Sequence, residues 1–200
     1  MAADLLRPDG AVIKWLESNK DVMSLIGGIM SIVQPDLYEL GRKAFAKLAE
    51  DPDLVTTPAD SLFRALKVWA APFNAMTVVS NRTTPLHRDT GSRAAWSDLL
   101  LALGQYEDGR LFLPPLGIVY RYNPGTMVCF SGTGFEHGAT CVGNQACVVF
   151  YMKDNVMNRL GLPIATWANV DGYAILPEPG NADESWMFYE PYEPHLAPLA

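Results

Sequence analysis

The chain has 200 residues, of which 49% are hydrophobic and 18% charged, and its formal net charge is −7. This composition provides enough apolar material for one folded core and excludes a wholly disordered chain. The negative charge argues against nucleic-acid binding through bulk charge alone, although a local basic groove on an acidic body is compatible with it.

The first third of the chain is predicted to be helical. Apolar residues at helical spacing predict four helices within residues 1–72, the clearest of which begins at Pro35. Asp21 is expected to cap the second helix, and Asp36 with Glu39 resembles a capping box for the third. No chemical motif occurs in this region, so packing is its expected role.

After the helical part, the pattern changes to short β-rich runs separated by turns. The predicted strands cover residues 75–80, 99–103, 111–113, 117–122, 126–131 and 146–152. Many short strands joined by turns are typical of an antiparallel barrel or sandwich. Since the helices come first and the strands second, we predict an α+β fold.

We expect a single domain over residues 1–176, in which a β-barrel core occupies residues 73–156. The remaining residues, 177–200, are rich in proline, acidic and aromatic residues and show no period, which indicates an irregular extension that could pack through its aromatics. His195 lies in this extension and is interpreted as a solvated residue, not as a metal ligand.

The cysteine pattern and the lack of a predicted signal peptide favour an intracellular protein. Cys129, Cys141 and Cys147 are odd in number, lie in apolar segments and form no C-x-x-C pair, which argues for reduced thiols and against structural zinc. We expect no signal peptide, because no basic region precedes an apolar run. We expect no membrane span either, because the longest apolar stretch, residues 22–33, is short and contains two glycines.

Two of the three histidines occupy positions typical of a metal site. His87 and Asp89 form an H-x-D pair after a predicted strand, and His137 follows another predicted strand. Two imidazoles and one carboxylate on a rigid barrel are the facial triad of non-haem Fe(II) oxygenases, which leaves the opposite face open for a keto acid and oxygen. Each motif alone could be an ordinary hydrogen-bonded histidine, but their combination favours the metal.

Further motifs lie around these residues, between about Trp69 and Val156. They are Asn81-Arg82, His87-Arg88-Asp89, Trp96-Ser97-Asp98-Leu99-Leu100, Gly104-Gln105-Tyr106, Leu113-Pro114-Pro115-Leu116-Gly117, Tyr122-Asn123-Pro124-Gly125-Thr126, Phe130-Ser131-Gly132, His137-Gly138 and Val149-Phe150-Tyr151-Met152. In this order the set resembles the TET/JBP family of nucleic-acid-modifying dioxygenases, and most closely its fungal branch.

The resemblance implies a double-stranded β-helix, a jelly-roll or cupin-like barrel, with the N-terminal helices packed on one side. It implies that Fe(II), 2-oxoglutarate and O2 serve to oxidise the methyl group of a DNA base, either 5-methylcytosine or N6-methyladenine. The partner would be methylated duplex DNA whose base is flipped out, because a stacked methyl group cannot reach the iron. We therefore also expect a nuclear location.

The resemblance also implies roles for residues near the metal. Tyr151 matches a family position that packs on the flipped base, and an ordinary strand aromatic is the alternative. Asn81, Arg82 and Arg88 flank the metal pair and could hold the keto acid or a DNA phosphate. Solvated loop polarity is the alternative for these three, and it competes most strongly for Arg88.

The sequence departs from the family where an arginine usually binds the distal carboxylate of 2-oxoglutarate. Gln145 stands there, and its amide can donate hydrogen bonds but supplies no charge. The candidate replacements are Arg82, Arg93, Arg121 and Lys153. We favour Arg121, because an inward-facing charge in mid-strand needs a reason, whereas an outward-facing Arg121 would be unremarkable. Weak co-substrate binding and loss of activity with retention of the fold are the alternatives.

Two other functions fit the same residues. A 2-oxoglutarate oxygenase, such as a hydroxylase, acting on a protein or small molecule would need the same metal ligands, and the acidic net charge mildly favours it. A catalytically silent β-barrel that only binds a ligand would explain the missing arginine. The sequence does not determine the oligomeric state.

Overall fold

Five α-helices, two short 3-10 helices (Pro52–Leu54 and Pro114–Leu116) and six strands make up the described part of the chain, residues 10–54 and 59–168 of a computed structural model. The chain divides into two units, residues 1–168 and 169–200, and only the first contains described residues. The predicted domain end at residue 176 and the predictions for the C-terminal extension, including His195, lie outside the described residues.

Four helices form the N-terminal part, as the apolar spacing predicts. They are α1 (Ala11–Ser18), α2 (Lys20–Val33), α3 (Pro35–Glu50) and α4 (Ala59–Val68), and a fifth helix, α5 (Asp154–Leu160), follows the last strand. Each of α1 to α3 buries one face, and Leu16, Ile26 and Leu37 are fully buried. None of the described helices combines the length and apolarity that a bilayer-spanning helix needs.

The predicted side-chain caps of α2 and α3 are wrong. The N-cap residues are Asn19 and Gln34, and neither side chain bonds to the helix that it precedes. Asp21 and Asp36 lie inside the first turns, where a negative charge interacts favourably with the helix dipole. Pro35 explains the start of α3 instead, because the first helical position needs no backbone N–H.

Gln34 ties the helices to the sheet. Its side chain is buried and donates to the carbonyl oxygen of Ala95 over 2.9 Å. Its Oε1 accepts a hydrogen bond from the backbone N–H of Ser97 over 3.1 Å. The side chain that could have capped α3 therefore holds the loop that leads into the third strand.

The strands form one antiparallel sheet, which is consistent with the predicted jelly-roll fold and the α+β class. They are β1 (Ala75–Ser80), β2 (Thr84–His87), β3 (Asp98–Leu113), β4 (Ile118–Arg121), β5 (Met127–Phe130) and β6 (His137–Tyr151). The order is β1-β6-β3-β4, with β2 also paired to β6 and β5 also paired to β3. The long strands β3 and β6 therefore form the centre of the sheet.

The sequence underestimated the length of both central strands and missed β2. The predicted strands 99–103 and 111–113 are parts of the single strand β3, and the strand predicted from residue 146 begins at His137. Polar residues and glycines interrupt the apolar pattern in the middle of both strands, and the β3–β6 register shifts between Glu107 and Arg110. Strand β2 has only four residues and contains Pro85, so it carries a weak signal.

Strand β3 separates two apolar clusters, because its side chains alternate between the faces of the sheet. Leu99 and Leu101 belong to the larger cluster, which the helices share. Leu100 and Ala102 belong to a smaller cluster with Tyr122. Burial on both faces explains the continuous apolar run in this strand, and the smaller cluster borders the cavity that contains the candidate site.

Candidate metal centre

Strand pairing brings the three predicted metal ligands together. His87 ends β2, His137 begins β6, and the two residues are direct partners in the β2–β6 register. Asp89 follows in the loop after β2. The candidate ligand atoms of the three residues all lie within 4.8 Å of one another. His87 Nε2 is 3.4 Å from Asp89 Oδ1, and His137 Nε2 is 3.7 Å from Asp89 Oδ2.

Backbone carbonyls orient both imidazoles. His87 Nδ1 lies 2.9 Å from the carbonyl oxygen of Pro85, and His137 Nδ1 lies 3.0 Å from that of Phe135. A carbonyl oxygen can only accept, so each Nδ1 carries the hydrogen and each Nε2 keeps its lone pair. Both Nε2 atoms face Asp89, and this set of two nitrogens and one carboxylate fits Fe(II).

His137 is the most enclosed of the three ligands. It is 5% exposed, and its ring packs edge-on against Phe130 with centroids 5.0 Å apart. Burial lowers its pKa below the ordinary histidine value, and the hydrogen bond to Phe135 and the charge of Asp89 oppose this effect only in part. The lowered pKa favours the neutral imidazole, which is the form that binds a metal.

The triad lines a cavity of about 310 Å³. A volume of this size suits a small-molecule site. The predicted residues Arg82, Gln145 and Tyr151 also line it, whereas Asn81 and Arg88 do not. The full lining is Thr77, Val79, Arg82, Thr84, His87, Asp89, Thr90, Ser92, Asp98, Leu100, Leu111, Tyr122, His137, Gly138, Ala139, Gln145, Cys147, Val149 and Tyr151.

Gln145, the residue predicted at the family's arginine position, lies in the cavity wall. It is 7% exposed, and its Oε1 is 3.3 Å from the thiol of Cys141. Asn81 holds its backbone, since Asn81 Oδ1 accepts from Gln145 N–H over 2.8 Å and Asn81 N–H donates to the Gln145 carbonyl over 2.8 Å. Asn81 therefore acts on the cavity through Gln145.

The structure argues against an inward-facing Arg121. In the β3–β4 register Arg121 is the partner of Arg110, and the adjacent pair is Leu111 with Tyr120. Leu111 faces the cavity, so its neighbour Arg110 and the paired Arg121 point to the opposite face of the sheet. Arg121 is accordingly exposed. The expectation from its mid-strand position is therefore not supported.

Of the other candidate cations, Arg82 alone lines the cavity. Arg93 forms an ion pair with Asp154 and donates to Asn158 Oδ1 over 3.1 Å. The ammonium of Lys153 lies 6.0 Å from the centre of the Tyr151 ring, outside the cavity lining. Arg82 is thus the best placed of the four cations to meet a carboxylate in the cavity.

Asp98 is a site residue whose role the sequence did not reveal. It begins β3, is 2% exposed and lines the cavity. Its Oδ2 accepts from Gly132 N–H over 3.0 Å, and its Oδ1 has no hydrogen-bond partner among the described residues. Burial, and to a smaller extent the charge of Asp89, raise the pKa of Asp98 to about 7, although the Gly132 hydrogen bond opposes this. An acidic residue at the edge of an apolar run was the available signal.

Comparison with known proteins places this geometry in a family context. The Tet/JBP family model, an oxygenase domain of the 2OGFeDO superfamily, matches residues 4–154. A solved structure, NgTET1 in complex with 5mC DNA, is 16% identical with a TM-score of 0.53, and the match covers 86% of this chain. It covers 61% of the NgTET1 chain, so this chain spans less than two thirds of that length, and the likeness supports the fold alone. No curated protein matches the chain.

Proposed function

Because the chain belongs to the Tet/JBP family of 2OGFeDO oxygenases, whose cofactors are Fe(II) and 2-oxoglutarate, we propose that it oxidises the methyl group of a methylated DNA base. The base would be 5-methylcytosine or N6-methyladenine, flipped out of duplex DNA into the cavity. The observation that carries this proposal is the triad of His87, Asp89 and His137 at the wall of a small-molecule cavity. A nuclear location and membership of the fungal branch belong to the same proposal.

The protein residues would bind and orient the reactants. His87, Asp89 and His137 would hold Fe(II) through two Nε2 atoms and a carboxylate. When bound, the iron supplies the oxidising chemistry, in which 2-oxoglutarate and O2 are consumed while succinate, carbon dioxide and a hydroxymethyl product form. The backbone-anchored Nδ1–H groups of both histidines would keep the ligand geometry constant during turnover.

Arg82 and Gln145 are the candidates to bind the distal carboxylate of 2-oxoglutarate. Arg82 would supply the positive charge, and Gln145 would supply an amide donor deeper in the cavity wall. Since Arg82 is exposed, solvent screens its charge more than it would screen a buried guanidinium. We therefore expect binding of 2-oxoglutarate to be weaker than with a buried arginine at position 145.

Tyr151 and Arg88 would contact the DNA. Tyr151 lines the cavity, and its hydroxyl is 3.2 Å from Thr77 Oγ1, which holds the ring in place for stacking on a base. Arg88 is exposed and lies between the ligands His87 and Asp89, where it could meet a backbone phosphate. Tyr151→Ala should then reduce oxidation of DNA more than Tyr151→Leu, which keeps more apolar contact area.

The decisive experiment uses duplex DNA that carries either 5-methylcytosine or N6-methyladenine. The protein is incubated with Fe(II), 2-oxoglutarate and ascorbate, and the digested nucleosides are measured by mass spectrometry. We expect loss of one methylated base, accompanied by an oxidised cytosine from 5-methylcytosine or, because an N-hydroxymethyl group releases formaldehyde, by unmodified adenine from N6-methyladenine. Neither change should occur with Asp89→Ala. Unchanged DNA of both kinds, together with measured iron binding, would contradict the proposal.

A second candidate is an oxygenase that acts on a protein or small molecule. Two observations favour it: the net charge of −7, and the acidic partners of two of the arginines that follow the helical part. Arg93 is paired with Asp154 and Arg110 with Asp108, which leaves less positive charge for phosphates. Succinate formation without any change in DNA, and no salt-dependent binding of duplex DNA, would favour this candidate.

A further inference from the structure

Gly132 connects the metal ligand Asp89 to the buried carboxyl group of Asp98. The backbone N–H of Asp89 donates to the Gly132 carbonyl over 2.9 Å. The backbone N–H of Gly132 in turn donates to Asp98 Oδ2 over 3.0 Å. The described hydrogen bond of the Asp89 backbone N–H is therefore to Gly132, whose own backbone N–H is hydrogen-bonded to Asp98.

The two carboxyl groups also pack against the same side of Gly132. A Cβ atom on Gly132 would lie 2.4 Å from Asp89 Oδ2 and 2.8 Å from Asp98 Oδ2, and both separations are far below van der Waals contact. Glycine is the residue that allows both carboxyl groups to approach. A side chain at position 132, in the turn after β5, would therefore displace at least one of the two carboxyl groups.

The segment that carries Asp98 is held from two directions. Ser97 N–H donates to the buried Gln34, and the fully buried Trp96 donates through its Nε1 to the carbonyl of Ala165 over 2.9 Å. Asp98 itself opens β3 and is the register partner of Phe130 in β5. Asp98 is therefore a rigid support, whereas Asp89 lies in a loop and its side chain is 42% exposed.

Burial of the Asp98 carboxyl group lowers the stability of the folded protein, and apolar packing does not account for its position. A buried carboxyl group with one unpartnered oxygen destabilises the fold relative to an apolar side chain of similar volume. The group lines the cavity beside the metal ligands instead of lying in either apolar cluster. A buried polar group that costs stability beside a site suggests a role in that site.

We propose that Asp98 is a positioning residue for the metal ligand Asp89, and that it acts by fixing the Gly132 backbone to which Asp89 is hydrogen-bonded. The inference rests on the proposed function, since Asp89 is a ligand only if the metal binds. Asp98 would not touch the metal. Its Oδ2 would keep the Asp89 carboxylate at the distance from His87 and His137 that the shared metal requires.

The test compares two substitutions of Asp98 with a matched control in the same turn. Asp98→Ala removes the acceptor for Gly132 N–H, whereas Asp98→Asn keeps an oxygen acceptor of the same shape. Ser131→Ala is the control, because Ser131 Oγ accepts from Gly134 N–H over 3.0 Å, a bond of the same type in which neither residue is a described hydrogen-bond partner of Asp89. Co(II) affinity of each folded protein is measured by titration, and unfolding is measured by denaturant.

We expect Asp98→Ala to lower Co(II) affinity by about 10- to 100-fold, as removal of outer partners of metal ligands usually does. We expect the Co(II) affinity of Asp98→Asn to stay within about threefold of the wild-type affinity. Ser131→Ala should bind Co(II) as the wild type does, even if each variant is less stable. Wild-type affinity in folded Asp98→Ala would overturn the proposal. Equal losses in Asp98→Asn and Asp98→Ala would also overturn it, because the oxygen acceptor would then not be what matters.

A second measurement applies if Asp98→Ala does not fold. Amide hydrogen exchange of the metal-free wild-type protein should show slow exchange for the N–H groups of Asp89 and Gly132. Fast exchange of the Asp89 amide in the folded protein would overturn the inference. If the wild-type protein binds no Co(II), the proposed metal function fails, whereas the exchange data still report separately on the link from Asp89 to Gly132.

Discussion

His87 and His137 are direct partners across the β2–β6 ladder, and their rings lie 4.3 Å apart between centroids. Each imidazole is anchored to the carbonyl two residues before it, at Pro85 and Phe135. The directions of both Nε2 atoms therefore depend on backbone geometry and strand pairing. The sheet therefore fixes the positions of the two histidine ligands, whereas Asp89 lies in the loop that follows β2.

Removal of the enclosed histidine should abolish the metal site. We expect His137→Ala to lower Co(II) and Fe(II) affinity by at least about 100-fold, because two remaining ligands cannot complete a facial triad. Isothermal titration of the folded variant measures this. Cys129→Ala is the control, since that thiol faces Met30 on the helix side of the sheet, and it should bind metal normally. Unchanged affinity in His137→Ala would exclude this triad.

A methyl group on Gly132 should damage both the fold and the site. The new Cβ would collide with the carboxyl groups of Asp89 and Asp98, so we expect Gly132→Ala to lower the free energy of unfolding by about 1–3 kcal/mol and to weaken metal binding. Gly28→Ala is the matched control, because Gly28 lies in α2 and a methyl group added there would have no described atom within 4 Å. This change should stabilise the protein by up to about 1 kcal/mol.

Binding of 2-oxoglutarate should depend on Arg82 and not on Arg121. We expect Arg82→Ala to raise the KM for 2-oxoglutarate by about tenfold, equivalent to about 1.4 kcal/mol, with a smaller change in kcat. Arg121→Ala should leave the KM unchanged, because Arg121 points away from the cavity. The rate of succinate formation, measured against 2-oxoglutarate concentration, gives the KM of each variant. If Arg121→Ala raised the KM and Arg82→Ala did not, Arg121 would be the residue that binds 2-oxoglutarate, as the sequence alone suggested.

The metal-free protein should lose stability through Asp98 as the pH rises. The pKa of this carboxyl is raised to about 7 in the folded protein, whereas in the unfolded chain it titrates near 4. Between these values the folded state binds more protons, so the free energy of unfolding falls with increasing pH and levels off above about pH 7. Asp98→Asn lacks this contribution. Denaturant titrations at pH 4.5 and 7.5 should show that the wild type loses more stability than Asp98→Asn. Equal losses of stability in the wild type and in Asp98→Asn would contradict the raised pKa of Asp98.

The α+β organisation and most elements were predictable from local sequence. Apolar spacing located the four N-terminal helices, and β-rich runs located parts of five strands. The limits of β3 and β6 were not predictable, because Gly104 and Gly143 interrupt the apolar pattern where the two strands pack closely together. Such an interruption resembles a turn when it is seen from one strand alone.

The sequence by itself determined the candidate ligands His87, Asp89 and His137, because the residue types that bind Fe(II) are visible in their spacing. Only the tertiary structure decided that Arg121 faces away from the cavity and that two hydrogen bonds through Gly132 link Asp89 to Asp98. The physical reason is strand register. A shift of one residue reverses the face to which every side chain points, and register depends on pairing between distant segments that local sequence does not encode.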